Sequence, residues 1–186
     1  MTHDFNESLR LSHTAENFPF WEECYRKFFP DFQTMISHRQ DGEHQRAGID
    51  RSVILSNSKQ VLVDEKIRWK DYPDIALEEF SDEERRVPGW VMKPLRCDYI
   101  AYAIAPTGRC YLLPLVQLQA AWRLNRARWK VEFPFMIRAR NNGYTTLSYG
   151  IPVPVLFKAI GDCLRCQFTP VTDWNSQVNQ IEEDPF

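Results

Sequence analysis

Phe18, Trp21, Tyr25 and Phe28 recur at the three-to-four-residue interval that puts side chains on one face of a helix. This spacing predicts a core-facing helix over residues 18–29, closed by Pro30. The pattern then dissolves, and residues 32–47, rich in His, Gln and Arg, read as an irregular connection. From Ile49 the period becomes that of strands. Residues 49–55 and 61–63 are aliphatic and rich in β-branched side chains. Ser56-Asn57-Ser58-Lys59 between them is turn chemistry, small polar groups that bond locally to backbone, so the stretch 48–66 predicts a hairpin. Further strands are expected over 75–80, 99–105 and 110–113, with a short one over 89–93 and a charged surface loop over 81–88. Pro114 suits the first residue of a helix, since its missing N–H is one that a helix start leaves free. That helix should run to about Trp129. Strands over 131–138 and 144–149 flank the turn Asn141-Asn142-Gly143, and a last helix is expected over 154–163. With no internal repeat and no linker, the pattern predicts one α/β domain on a mixed sheet over residues 1–186, with residues 1–14 and 175–186 as flexible tails.

Composition narrows the function classes. Hydrophobic residues make up 44% of the 186, which excludes wholesale disorder. Lys and Arg number 23 against 25 Asp and Glu, a net charge of −2, so any surface for nucleic acid must be local. No apolar run is long enough to span a bilayer, and the N-terminal MTHDFNESLR lacks a signal-peptide pattern. A cytoplasmic location without a membrane partner is therefore expected. The five cysteines (Cys24, Cys97, Cys110, Cys163, Cys166) are odd in number and scattered, which predicts reduced thiols. Cys163-Leu164-Arg165-Cys166 is a lone CxxC without the second pair that zinc wants, so no metal is expected on it.

The charges of the hairpin are its unusual feature. Ile49, Val53, Leu55, Leu62 and Val63 make it a buried type, where charges need a reason. Yet its first strand opens with Asp50 and its second closes with Asp64, Glu65 and Lys66. Strand side chains alternate faces, so Asp64 and Lys66 share one and Glu65 takes the other, where Arg51 can reach it. With an odd loop such as 56–58, Asp50 lies opposite Asp64 and the three groups converge. An even loop pairs Asp50 with Glu65 and breaks the cluster. Two converging carboxylates repel unless a cation sits between them, and oxygen ligands suit Mg²⁺ or Mn²⁺.

Asp50 followed by Asp64-Glu65-Lys66 resembles the signature of the PD-(D/E)xK nuclease superfamily. The forms Gly48-Ile49-Asp50-Arg51 and Val63-Asp64-Glu65-Lys66 are most similar to its RecB-like branch, although Ile49 stands where the pattern has Pro. The resemblance covers residues 15–125 at its most generous. It implies a restriction-endonuclease-like mixed β-sheet core flanked by α-helices, and Mg²⁺-dependent hydrolysis of phosphodiester bonds in DNA. It also implies Asp50, Asp64 and Lys66 as catalytic residues. Asp50, Asp64 and the Glu65 backbone carbonyl would be metal ligands. Glu22 on the first helix is a further candidate ligand, preferred to Glu23, which falls with Arg26 and Lys27 on the wet face. The iron–sulfur arrangement of some RecB-like nucleases needs a cysteine beyond Cys166 that the sequence lacks. A non-catalytic nucleic-acid- or protein-binding module with a vestigial site is the alternative.

The remaining candidates are weaker. Arg123, Arg126 and Lys130 recur at helical spacing and are the best candidates for DNA phosphate contacts, though a solvated helix face would look the same. Trp122 and Trp129 fall on the opposite side and read as core. His44 reads as a loop histidine. Glu78 and Glu79 read as charges protecting an exposed edge strand, and the acidic stretch 74–84 as a surface facing away from DNA. A homodimer or larger complex is left open.

Overall fold

A computed structural model describes residues 18–172 except 39 and 162. The tails expected over 1–14 and 175–186 lie outside the described residues. The chain runs α1 (Phe20–Phe28), β1 (Phe32–Ser37), α2 (Gly42–Ala47), β2 (Arg51–Leu55), β3 (Gln60–Arg68), β4 (Asp74–Asp82), β5 (Val87–Pro88) and β6 (Tyr99–Ile104). After a 3₁₀ turn (Ala105–Thr107) come β7 (Arg109–Pro114), α3 (Leu115–Glu132), β8 (Met136–Asn141), β9 (Tyr144–Pro152), α4 (Val153–Ile160) and β10 (Leu164–Gln167).

The strands form two sheets, where a single mixed sheet was expected. A six-stranded half-barrel has the order β1-β2-β3-β6-β7-β10, and a four-stranded antiparallel sheet has the order β5-β4-β9-β8. Only β3 and β6 run parallel, and the crossover between them carries β4 and β5 into the second sheet. Alternation along β3 and β6 therefore feeds two cores. Leu62, Ile100, Tyr102 and Ile104 face the second sheet, α3 and α4. Val63, Ala101 and Ala103 face α1. That helix buries Phe20, Trp21, Tyr25 and Phe28, each fully buried aromatic stabilising by about 1.5–3 kcal/mol. Trp122 and Trp129 are fully buried, as core residues should be.

Three local expectations are corrected. Residues 32–47 hold β1 and α2, not an irregular connection. Apart from Phe32 and the half-buried Met35, β1 is exposed along its length as a sheet edge, so no alternation marks it. Residues 89–93 form a turn, with the Met92 and Lys93 amides both donating to the Gly89 carbonyl. The helix expected to end near Trp129 continues to Glu132, and the next strand begins only at Met136, beyond Pro134.

Candidate functional site

The β-hairpin loop has three residues. Ile54 pairs with Gln60, the Leu55 amide donates to the Lys59 carbonyl, and Ser56, Asn57 and Ser58 form the turn, Ser58 at φ +61°. This odd loop fixes the register. Arg51 stands opposite Val63, the last pair of the ladder, and the Asp50 amide donates to the Val63 carbonyl, which brings the Asp50 carboxylate beside that of Asp64. The Asp50 carboxylate continues the ladder past the end of β2, with Oδ2 accepting from the Glu65 amide at 2.8 Å. A strand residue turns its N–H and C=O to the same edge, so the Glu65 carbonyl points past Asp50 as well.

The chain enters this register through two devices. Asp41 caps α2 by accepting from the Glu43 and His44 amides, and Gly48 ends the helix at φ +69°. A Cβ on Gly48 would also meet the end of the Leu95 side chain, but it is the left-handed φ that requires glycine. Gln45, on the last turn of α2, donates its side-chain amide to Asp50 Oδ1 at 3.1 Å and orients that carboxylate.

On the same face Lys66 Nζ lies 2.7 Å from Asp64 Oδ1. The Asp64 side chain is 6% exposed and that of Lys66 31%, so the lysine is the group that solvent reaches. Burial pushes the Asp64 carboxyl from its ordinary 3.8 to about 7, with Asp50 adding to the shift and Lys66 opposing it. Burial works against the Lys66 charge, but Asp64 and Asp50 outweigh it and hold its pKa above the usual value.

A third carboxylate arrives from the second sheet. In β4 the register with β9 slips between Glu78 and Phe80, a bulge that re-aims two neighbouring acids. Glu78 faces Lys66, with burial raising its pKa against the pull of that lysine. It accepts from the Trp90 amide at 3.3 Å. Gly89 makes the approach possible, since a Cβ there would fall 2.3 Å from the Glu78 carbonyl oxygen. Glu79 turns to Lys130 at 2.5 Å. The expectation that these acids protect an edge strand is thus corrected, because β4 is flanked by β5 and β9. Of the acidic stretch 74–84, Glu78 comes to the candidate site, while Asp74, Glu79, Asp82 and Glu83 pair with Arg68, Lys130, Arg85 and Arg138.

The opposite face of β3 is structural. Glu65 points away from Asp64 and receives Arg51 Nε at 2.7 Å and the Tyr25 hydroxyl at 2.7 Å, all three groups buried. Cys97 lies near Asp64 and Lys66, and burial with the Asp64 charge pushes its thiol up to about 12, leaving it protonated and inert.

Other candidates fall elsewhere. Glu22 pairs with Arg26 on the exposed side of α1, the helix on the Glu65 face, so it is not brought to Asp50 and Asp64. His44 bonds to Asp41 and stacks on His38. Lys130 is committed to Glu79 and lies over the Tyr149 ring, which removes it from the set of free phosphate ligands. Arg123 and Arg126 stay exposed and make no ion pair among the described residues, and Arg126 touches Met92 beside the Gly89 turn. Gln45 was not anticipated, and the only sequence signal for it is its place five residues before Asp50.

Asp50, Asp64 and the Glu65 carbonyl offer oxygen only, the ligand type that hard divalent cations take, and the positive charge beside the two carboxylates is that of Lys66. Comparison with protein-family models, with curated proteins and with solved structures finds no match to this chain. No helix among the described residues is long and apolar enough to cross a membrane.

The raised Asp64 pKa sets a stability prediction. An acid whose folded pKa lies above its unfolded value binds more protons when folded, so its contribution declines as pH rises from about 4 to about 7. In EDTA, Asp64→Asn should gain Tm relative to wild type by an amount that grows from pH 5 to pH 7.5. Mg²⁺ should raise the wild-type Tm at pH 7.5 and barely at pH 5. A mutant-minus-wild-type difference that is flat with pH would exclude a raised Asp64 pKa.

Proposed function

We propose that this protein is a metal-dependent nuclease of the PD-(D/E)xK type that hydrolyses phosphodiester bonds in DNA. One observation carries the reading: the three-residue loop brings the Asp50 carboxylate beside that of Asp64 and leaves Lys66 on their face, while Glu65 is turned to Arg51. The six-stranded mixed sheet, with α1 on one face and α3 over the other, would be the restriction-endonuclease-like core. The four-stranded sheet would be an addition that contributes Glu78.

Asp50 and Asp64 would hold Mg²⁺ or Mn²⁺ together with the Glu65 carbonyl, and the bound ion would supply Lewis acidity and a more acidic water. Gln45 keeps Asp50 oriented. Lys66, held charged by Asp64 and Asp50, would place its ammonium where negative charge grows on the phosphate and would orient the attacking water. Glu78, across the gap from Lys66, would limit the directions that the ammonium can take. The low exposure of both aspartates keeps water from screening these interactions.

The test is incubation of pure protein with plasmid and with single-stranded DNA, in Mg²⁺, in Mn²⁺ and in EDTA. Cleavage that requires the ion and ends with EDTA supports the reading. Intact DNA in every lane, with folded protein, would leave a binding module as the better account.

Arg123 and Arg126 are exposed cations of α3 that make no ion pair among the described residues, whereas Arg128 pairs with Glu132, and Arg126 lies beside the turn that holds Glu78. Arg123→Glu with Arg126→Glu is expected to weaken DNA binding and flatten its salt dependence, because each lost phosphate contact removes released counterions. Lys130→Gln should instead lower stability, by leaving buried Glu79 unpaired, and should leave the salt slope of folded protein unchanged. Fluorescence anisotropy across a salt series, read beside thermal melts, separates the two.

A further inference from the structure

On the opposite face of the large sheet from Asp64 and Lys66, three cysteines distant in sequence meet at one point. The β7–β10 register sets Cys166 directly opposite Cys110, so the two side chains share a face of the sheet. The helix α1 lies over that face and brings Cys24 onto them, and the three sulfurs all lie within 4.8 Å of one another. Cys24 and Cys110 are fully buried, whereas Cys166 is half-buried. Cys163 is not part of this group, so the CxxC spacing is not what assembles it.

We propose that Cys24, Cys110 and Cys166 form a three-thiolate zinc site whose fourth coordination position is filled from solvent at the half-buried Cys166. Tetrahedral zinc with Zn–S bonds of about 2.3 Å needs sulfurs roughly 3.8 Å apart, which this cluster reaches by small side-chain rotations. A disulfide would use two of the thiols and leave the third buried beside it. The cation uses all three, which come from three different elements. The open position follows from Cys166, the one half-buried member of the three, beside Lys27 of α1 at the β10 edge. Three thiolates and Zn²⁺ leave one net negative charge, and the nearest cation to it is Lys27, which Glu23 shares. Lys27 donates to the Gln167 carbonyl at 2.6 Å, so its charge is held one residue from Cys166. The fourth ligand is then water or a small anion from solvent. The bound ion would tie α1 and the edge strand β10, only four residues long, to the centre of the large sheet.

The test uses full-length protein, reduced, stripped of metal and titrated with Co²⁺. One equivalent should develop thiolate-to-cobalt charge-transfer absorption with tetrahedral d–d bands, and one equivalent of Zn²⁺ should erase both. An Asp64→Asn background keeps the carboxylate site from taking cobalt, and that site would give no thiolate band in any case. Cys166→Ser, at the half-exposed position, should lose most of the charge-transfer intensity with its circular dichroism unchanged, while Cys163→Ser should keep it. As a check independent of any variant, Zn²⁺ should protect the wild-type Cys166 thiol from alkylation. Folded wild-type protein without a charge-transfer band, an unchanged band in Cys166→Ser, or a disulfide among these three cysteines in anaerobically purified protein would each overturn the site. So would stoichiometric iron or copper in place of zinc.

Discussion

Asp64→Asn and Asp50→Asn are each expected to abolish Mg²⁺-dependent DNA cleavage without unfolding the chain. Each removes one of the two buried carboxylates that would hold the ion, and the third, Glu78, is turned to Lys66 and the Trp90 amide. For Asp64 the loss of activity should come with a gain of metal-free stability near neutral pH, because the carboxyl is buried with a pKa of about 7. This pairing of opposite effects distinguishes a site held under electrostatic strain from an ordinary structural ion pair, whose removal would cost stability at every pH. Lys66→Ala should behave differently. It contributes no ligand, so metal binding should persist while the chemical step slows by ~10²-fold or more, the scale of losing one positioned electrostatic group. Single-turnover cleavage combined with Mn²⁺ binding measures both. If Asp64→Asn cleaves at the wild-type rate, the proposed site is not where the chemistry occurs.

The convergence of Asp50, Asp64 and Lys66 was legible in part because hairpin geometry is local. Side-chain alternation puts Asp64 and Lys66 together and Glu65 apart, but loop parity, open in the sequence, had to be read from the structure before Asp50 could be placed with them. What lies across the gap was not legible. Glu78 reaches Lys66 only because β4 leaves the first sheet, pairs with β9 about seventy residues later, and bulges at the right residue. None of these events has a signature within a short window. β1 was missed for a related reason: a mostly exposed edge strand such as Phe32–Ser37 has little apolar alternation to read. Lys130 fitted the basic stripe by spacing, but its partner Glu79 stands fifty-one residues away. The cysteines show the limit most plainly, since metal-ligand spacing looks for neighbours in sequence, whereas Cys24, Cys110 and Cys166 are neighbours only through the packing of α1 and β10 on β7.

Arg51→Ala is expected to be among the most destabilising substitutions in the protein and to leave the chemistry of folded molecules near wild type. Glu65→Ala keeps the backbone carbonyl but removes a buried, paired carboxylate. Glu65 and Arg51 side chains are 0% and 5% exposed, and the Tyr25 hydroxyl completes the shell of the carboxylate. Taking one charge from such a pair leaves the other without compensation in a low-dielectric surrounding, at a cost of about 3–5 kcal/mol and a Tm lower by roughly 6–20 °C. Arg51→Ala and Glu65→Ala should therefore be comparably severe. Tyr25→Phe should cost less, about 1.5–3 kcal/mol, because Arg51 still holds the carboxylate. Replacing both charges at once, Arg51→Met with Glu65→Leu, should recover much of the loss, since a buried ion pair exchanged for apolar groups of similar volume is often neutral. Denaturant melts of the four variants give the stabilities, and cleavage at a temperature where each is folded gives the activity. Near-normal cleavage by folded Arg51→Met/Glu65→Leu would show that the Glu65 side chain serves the fold alone. Complete loss of cleavage there, with native stability, would mean that the Glu65 carboxylate acts in the reaction and that the site has been assigned to the wrong face of β3.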